Sequence, residues 1–467
     1  MTDESIVTAA DKLNERLAHY QASGVSKVKL GLTDIDGVIR GKYVSLEKFT
    51  SLMTKAGGFC DCVFGWDVDD QLYDQNRYTG WHTGFPDAAY KLDAESERWL
   101  TDENCPYFVG QFIPEAGAVD SAEHPLCPRS LLQRVLLKLE AEGLRVRSGF
   151  EYEFFVFDET PHSVRDKGYA GLLPLTPGNF GYSVLRNSVE SDLFSGLMDY
   201  CQGLDCDLEG LHCETGPGVW EAALKAKVGL EAADRANLFK TFAKVYLQKH
   251  QLIGTFMAKW SMDYPGQSGH FHFSFEDEQH TNQFYAAEAQ DNMSPLQRQA
   301  LGGLQRYLPE WIAMLAPTIN SYTRLVKGAW APTAATWGVE NRTAGLRVIP
   351  AGPSAQRIEC RIGGADANPY LVAAAVLGAA YCGIREKLEP APAVEGNAYD
   401  IQDTLPAEMQ FATNLRDAAN RFASSGQAQA LFGSDFVEHF ALSRLWEVRE
   451  YERHVNDWQM QRYFEII

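Results

Sequence analysis

The sequence predicts an α+β protein: a small β-rich N-terminal unit over residues 1–125, then a larger unit over 126–467. Three observations predict it. Residues 59–125 carry short apolar stretches between Gly, Pro and Asp turns, with little helical periodicity. At HPLCPRSLLQRVLLKLEAEG (124–143) apolar residues begin to recur at helical spacing behind Ser130, a capping residue, which sets the boundary near 125. Beyond it, helices alternate with strands that are apolar on one face and carry Glu, His and Arg on the other.

In chain order, a polar amphipathic helix is expected at about 6–21. SKVKLGLTDIDGVIRGKYVS then reads as two strands around a turn at Asp34-Ile35-Asp36-Gly37. The larger unit should hold helices at 130–142, 188–204, 230–250, 294–315, 370–388, 407–424 and 436–449, and strands at 150–157, 219–224, 270–275 and 357–362. The closing segment VREYERHVNDWQMQRYFEII reads as a surface helix or a partner contact. There is no internal repeat.

Composition narrows the function. A chain of 467 residues with 45% hydrophobic residues can bury a large core. Its net charge of −20 argues against nucleic-acid binding through a broad basic surface. Nine dispersed cysteines behind a polar N-terminus read as reduced thiols of a cytoplasmic protein. The longest apolar run, residues 370–384, falls short of the ~20 residues that span a bilayer, so no membrane partner is expected.

The polar strand faces carry the chemistry. Glu151 and Glu153 of GFEYEFFVFD (149–158) lie two apart, so a strand sets both like charges on one face. HFHFSF (270–275) sets His270, His272 and Ser274 against three phenylalanines. RIECRIG (357–363) sets Arg357, Glu359 and Arg361 against Ile358, Cys360 and Ile362, and Glu214 and Glu221 flank a Gly-Pro-Gly turn. Either these faces are solvated, the common fate of one side of an antiparallel strand, or cations sit over them. Solvated faces are mostly Lys, Thr and Ser, and these carry no lysine. Five carboxylates (Glu151, Glu153, Glu214, Glu221 and Glu359) with His270 could fill two cation sites. Mainly oxygen donors with one imidazole suit Mg²⁺ or Mn²⁺ better than zinc or copper. Arg324, Arg342, Arg347, Arg357 and Arg361 add guanidiniums that bind carboxylate and phosphate. Divalent ions beside arginines are what phosphoryl transfer requires. No Walker loop, G-x-G-x-x-G or G-x-S-x-G motif offers another route.

The ordered set GFEYEF, ETGPGVWEAAL, SGHFHFS, NSYTRLV, WGVENRTAGLRV and RIECRIGGADANPY resembles the glutamine synthetase superfamily, over most of the chain. The resemblance implies an N-terminal β-grasp domain and a catalytic domain with an antiparallel, partly barrel-like sheet flanked by helices. It implies ATP-dependent activation of the glutamate γ-carboxylate and its capture by an amine. Glu153, Glu214 and Glu221 would hold one metal, and Glu151, His270 and Glu359 the other. Arg324, Arg361 and Gly266 would bind glutamate; Arg342 and Arg347 would neutralise the phosphoryl group; Glu209, His272, Ser274 and Arg357 would face ATP; Tyr182 would border the ammonium pocket. It implies stacked rings of subunits, with His82 in the small domain that completes a neighbour's site. A non-catalytic relative would have no reason to keep all six metal ligands.

Departures from the family pattern bear on the acceptor. The glutamate that helps bind ammonium six residues beyond Arg324 is Trp330 here, and the family's ammonium-binding aspartate falls on Cys60 or Asp61. Pro265, Lys259-Trp260 and Val219 also stand where the family has other residues. A desolvated ammonium ion needs several anionic or oxygen partners, whereas an aromatic wall suits an organic group. An organic amine is therefore the expected acceptor, with ammonia as the alternative. Tyr399 lies where some bacterial members are modified; a packed turn tyrosine is expected, not regulation.

Overall fold

In the computed structural model, residues 9–114 and 124–467 are described. The first helix runs Ala9–Ala22, so the expected start at residue 6 lies outside them. Strands β1 (Lys27–Thr33), β2 (Ile39–Ser45), β3 (Gly57–Cys60), β4 (Asp87–Leu92), β5 (Arg98–Leu100) and β6 (Cys105–Phe112) form the N-terminal sheet, in the order β2-β1-β6-β4-β3 with β5 on β6. β1 pairs antiparallel with β2 and parallel with β6.

The β1–β2 turn shows why its residues are there. Asp34 Oδ1 accepts from the Asp36 and Val38 amides at 3.0 and 2.9 Å, closing the turn with its own side chain. Gly37 has φ of 85°, and a Cβ on it would stand 3.1 Å from Asn368 Cα. Asn368 caps helix Pro369–Glu386 through its side-chain oxygen, and its Nδ2 donates to the Asp34 and Ile35 carbonyls at 3.2 Å.

The second sheet holds β7 (Arg145–Phe157), β8 (Leu208–Cys213), β9 (Val219–Leu224), β10 (Lys227–Val228), β11 (Ile253–Thr255), β12 (Gly269–Glu276), β13 (Trp337–Val339), β14 (Leu346–Ile349) and β15 (Arg357–Cys360). Its order is β13-β14-β15-β12-β7-β9-β8, with β10 and β11 on β7. All its pairings are antiparallel except β13–β14. The apolar face, including Phe150, Tyr152, Phe154, Phe271 and Phe273, joins the main core. Helices Pro128–Glu140, Glu231–Lys249, Pro295–Trp311 and Pro369–Glu386 back that core. This is the expected fold class: a mixed α/β architecture with a curled, mostly antiparallel sheet flanked by helices.

Two expected helices differ. The one at 188–204 splits into Val184–Val189, capped by Ser183, and Ser191–Gly203, with Glu190 out of helical geometry between them. The one at 407–424 begins only at Leu415. Ahead of it, residues Ala407–Met409 make only a 3-10 turn, because the Ala335 and Phe411 amides bond to the Met409 and Thr333 carbonyls and bridge Gln410 to Ala334, and Asn414 then caps the helix. No helix among the described residues is long and apolar enough to cross a membrane.

A buried ion cluster joins the N-terminal sheet to the helices of the larger unit. Arg129 donates from Nε and Nη2 to both Asp234 oxygens (2.8 and 2.9 Å), from Nη2 to Asp93 and from Nη1 to Gln111 (both 2.6 Å). Tyr370 Oη donates to Asp234 at 2.6 Å. Removing one partner strands a buried charge. Arg129→Met should cost about 3–5 kcal/mol in urea denaturation, and adding Asp234→Leu should recover much of that loss.

Candidate active site

Strand register assembles the site. Antiparallel pairing sets Glu359 opposite His272 on one side and Arg347 on the other. One row along, His270 faces Glu151, and in the next Glu221 lies between Glu153 and His212. Each row comes from strands far apart in sequence, and alternation turns all these side chains to the polar face.

The charges on this face are crowded. His270 Nδ1 lies 3.3 Å from Glu359 and 3.5 Å from Glu151, and His272 Nε2 lies 3.2 Å from Glu151. Arg361 Nη1 donates to Glu359 at 2.5 Å and Arg347 Nη1 at 2.9 Å. Burial works against the Glu359 charge, yet His270, His272, Arg361 and Arg347 hold its carboxyl down at about 2. Burial also opposes ionised Glu151, but contacts from His270 and His272 keep it well below the usual range. Glu221 goes the other way: burial, then neighbouring Glu151 and Glu153, push it up to about 8. A carboxyl driven toward neutrality beside ionised neighbours marks surplus negative charge.

Among the described residues, three groups bring ligand atoms within 4.8 Å of one another: Glu151–His272–Glu359, Glu151–Glu221–His270 and His212–Glu214–Glu221. Buried His270 Nε2 and Glu214 Oε2 have no hydrogen-bond partner. Oxygen-rich donor sets with orphaned, buried acceptors fit Mg²⁺ or Mn²⁺. Glu153 stands apart from these groups; its Oε2 accepts from the Ser268 amide at 2.6 Å. Thus Glu151 and Glu153, both on β7, meet different surroundings.

Two cavities adjoin these rows. One, of about 380 Å³, is lined by all four residues expected to face ATP: Glu209, His272, Ser274 and Arg357. The other, of about 60 Å³, is lined by Glu153, Glu214, Gly266, Arg324, Trp330 and Arg361. Arg324 is 2% exposed and donates to the Ile362 carbonyl at 2.9 Å and to Ser268 Oγ at 3.0 Å. A Cβ on Gly266 would stand 2.7 Å from Arg324 Cγ and from the Ala258 carbonyl, so glycine alone fits there.

Two exposed aromatics border this region in left-handed backbone: Trp330 (φ 58°, 62% exposed) and Tyr182 (φ 57°, 70% exposed). Non-glycine residues rarely adopt that conformation, and it gathers at functional sites. Tyr182 stacks on His212, with centroids 4.7 Å apart and planes at 12°. Tyr399 donates to the Ala331 carbonyl at 3.0 Å, packed as expected, against the segment bearing Trp330.

Not every expected residue joins in. Arg347 is held by Glu359 and Glu340, while exposed Arg342 lines a separate groove of about 880 Å³ with Glu340 and Asn341. Asp61 is buried in the N-terminal sheet region, where it accepts from Thr79 at 2.6 Å, and lines neither cavity above. Cys60 is half-buried nearby, and exposed His82 contacts the Arg77 carbonyl. Sequence reading missed His212. Its spacing two residues before Glu214, which follows directly on the end of β8, is the signal that would have found it.

Comparison with known proteins places the chain in a family. Type-1 glutamine synthetase 2 of Dictyostelium discoideum is 40% identical over 443 residues, 94% of this chain and 84% of that protein. The glutamate–isopropylamine ligase of a Pseudomonas species is 34% identical over 444 residues, 95% of this chain and 96% of that protein. A solved structure of GmaS without ligand superposes with a TM-score of 0.82, covering 98% of this chain and 100% of that one at 23% identity, a likeness of fold. The glutamine synthetase catalytic domain matches residues 125–463. The chain belongs to the glutamine synthetase family and is a carbon–nitrogen ligase.

Proposed function

We propose that the protein is an ATP-dependent glutamate–amine ligase whose acceptor is an organic amine. The observation that carries this reading is Trp330, which lines the cavity of Arg324, Arg361, Glu153 and Glu214 where the family pattern has a proton-handling glutamate. An indole cannot accept a proton from ammonium, but it can wall the carbon chain of an amine or face its cation.

In this reading Arg324, Arg361 and Gly266 hold glutamate, and Glu209, His272, Ser274 and Arg357 hold ATP. Glu153, Glu214 and Glu221 hold one Mg²⁺ or Mn²⁺ and Glu151, His270 and Glu359 the other; bound, the ions would neutralise the phosphates. A γ-carboxylate oxygen attacks the γ-phosphorus as the bond to ADP breaks, giving γ-glutamyl phosphate, while Arg342 and Arg347 offset the charge on the transferred group. The amine nitrogen then attacks the acyl carbon, phosphate leaves, and Glu214 takes the proton the nitrogen loses. Asp61 lies apart from its own chain's cavities, so we assign it to a neighbouring subunit's site in a ring-shaped homo-oligomer.

Identity to a glutamine synthetase favours ammonia as the second reading, so ammonium belongs in the assay. With ATP, glutamate and Mg²⁺ or Mn²⁺, phosphate release should show higher kcat/KM for small organic amines than for ammonium; ammonium as best acceptor would overturn the reading. Trp330→Glu should lower the amine-to-ammonium ratio of kcat/KM at least about tenfold, or ~1.4 kcal/mol. Arg342→Ala should cut kcat by about 10²–10³, with the KM for glutamate little changed.

A further inference from the structure

His212 has no role in the reading above, yet it sits at the centre of one donor group. It pairs directly across from Glu221 in the β8–β9 register, and Glu214 follows two residues later. Its Nε2 lies 3.3 Å from Glu221 Oε2 and 3.5 Å from Glu214 Oε2. Neither contact is a formed hydrogen bond: Nε2 and Glu214 Oε2 are both buried without a partner. Atoms at this spacing whose lone pairs miss one another have the arrangement of ligands turned toward a shared centre. Neighbouring ligands around an octahedral ion with bonds of about 2.1 Å stand roughly 3.0 Å apart, and opposite ones about 4.2 Å. The three donors, all within 4.8 Å of one another, fall close to that range. The Tyr182 ring stacked on the imidazole fixes its plane.

We propose that His212 is a direct ligand of the divalent ion held by Glu214 and Glu221. Both cation sites then carry one imidazole among carboxylates, His212 in one and His270 in the other. Nitrogen donors favour Mn²⁺ over Mg²⁺, so the chain should bind Mn²⁺ more tightly at both. The rival arrangement is an imidazolium clamped between Glu214 and Glu221, which would compete with the ion.

The proposal rests on the reading of Glu214 and Glu221 as a metal pair, and electron paramagnetic resonance of the full-length protein with Mn²⁺ separates the two. A count of bound Mn²⁺ comes from the free-ion signal, and nitrogen coupling from spin-echo modulation. In His270→Gln/His272→Gln, bound Mn²⁺ should still show ¹⁴N coupling, and adding His212→Gln should abolish it. His212→Gln alone should weaken one ion at least about tenfold. His212→Asp, with an oxygen ligand in place, should restore that affinity without the nitrogen signal, which also controls for folding. Bound Mn²⁺ without ¹⁴N coupling in His270→Gln/His272→Gln, or unchanged or tighter binding in His212→Gln, overturns the role of His212 alone. No bound Mn²⁺ in the unaltered protein overturns the metal reading itself.

Discussion

Repulsion between carboxylates held on one face of one sheet is the constraint that the rest of the structure serves. Glu151, Glu221 and Glu359 cannot drift apart, because each is fixed by a strand whose opposite face is buried among aromatic rings. A slip of one residue in any strand would turn phenylalanines to the polar side and acids into the core. The core thus enforces a charge density that the polar face alone would disperse. Compensation comes from His270, His272, Arg347 and Arg361, which surround Glu359, but Glu221 is left with less and is driven toward its protonated form.

This division explains how the two halves of the site differ. Two arginines of one end are held within the chain: Arg324 is anchored by carbonyls and Ser268, and Arg347 bridges two glutamates. Such groups are already oriented before an anionic substrate arrives, which limits the ordering cost of binding. The end near Tyr182 and Trp330 is open and strained instead, with aromatic surface toward solvent. Rigid recognition of a constant acid and adaptable enclosure of a variable amine would call for that contrast.

Much of this was legible in the sequence, because alternation in a strand maps directly onto a face. GFEYEF, HFHFSF and RIECRIG declared their polar residues by position alone, and the structure brings those residues into neighbouring rows. Helix existence was equally plain, but helix limits were not. The start at Leu415 depends on backbone bonds from residues near 409–411 to residues 333–335, a pairing that no local pattern records. His212 stands two residues before Glu214, a local signal, but its weight comes from the partner strand, where Glu221 sits opposite. The separation of Arg342 into its own groove likewise follows from how loops are folded back, not from spacing.

The cap at Asn368 has a temporal consequence. The hairpin turn it secures is finished when only the first few dozen residues exist, yet the amide that satisfies the Asp34 and Ile35 carbonyls is encoded more than three hundred positions later. At about 5–20 residues per second, a ribosome needs on the order of half a minute to deliver it. Throughout that interval water must satisfy the Asp34 and Ile35 carbonyls, so the turn between β1 and β2 is the last part of the small sheet to be sealed.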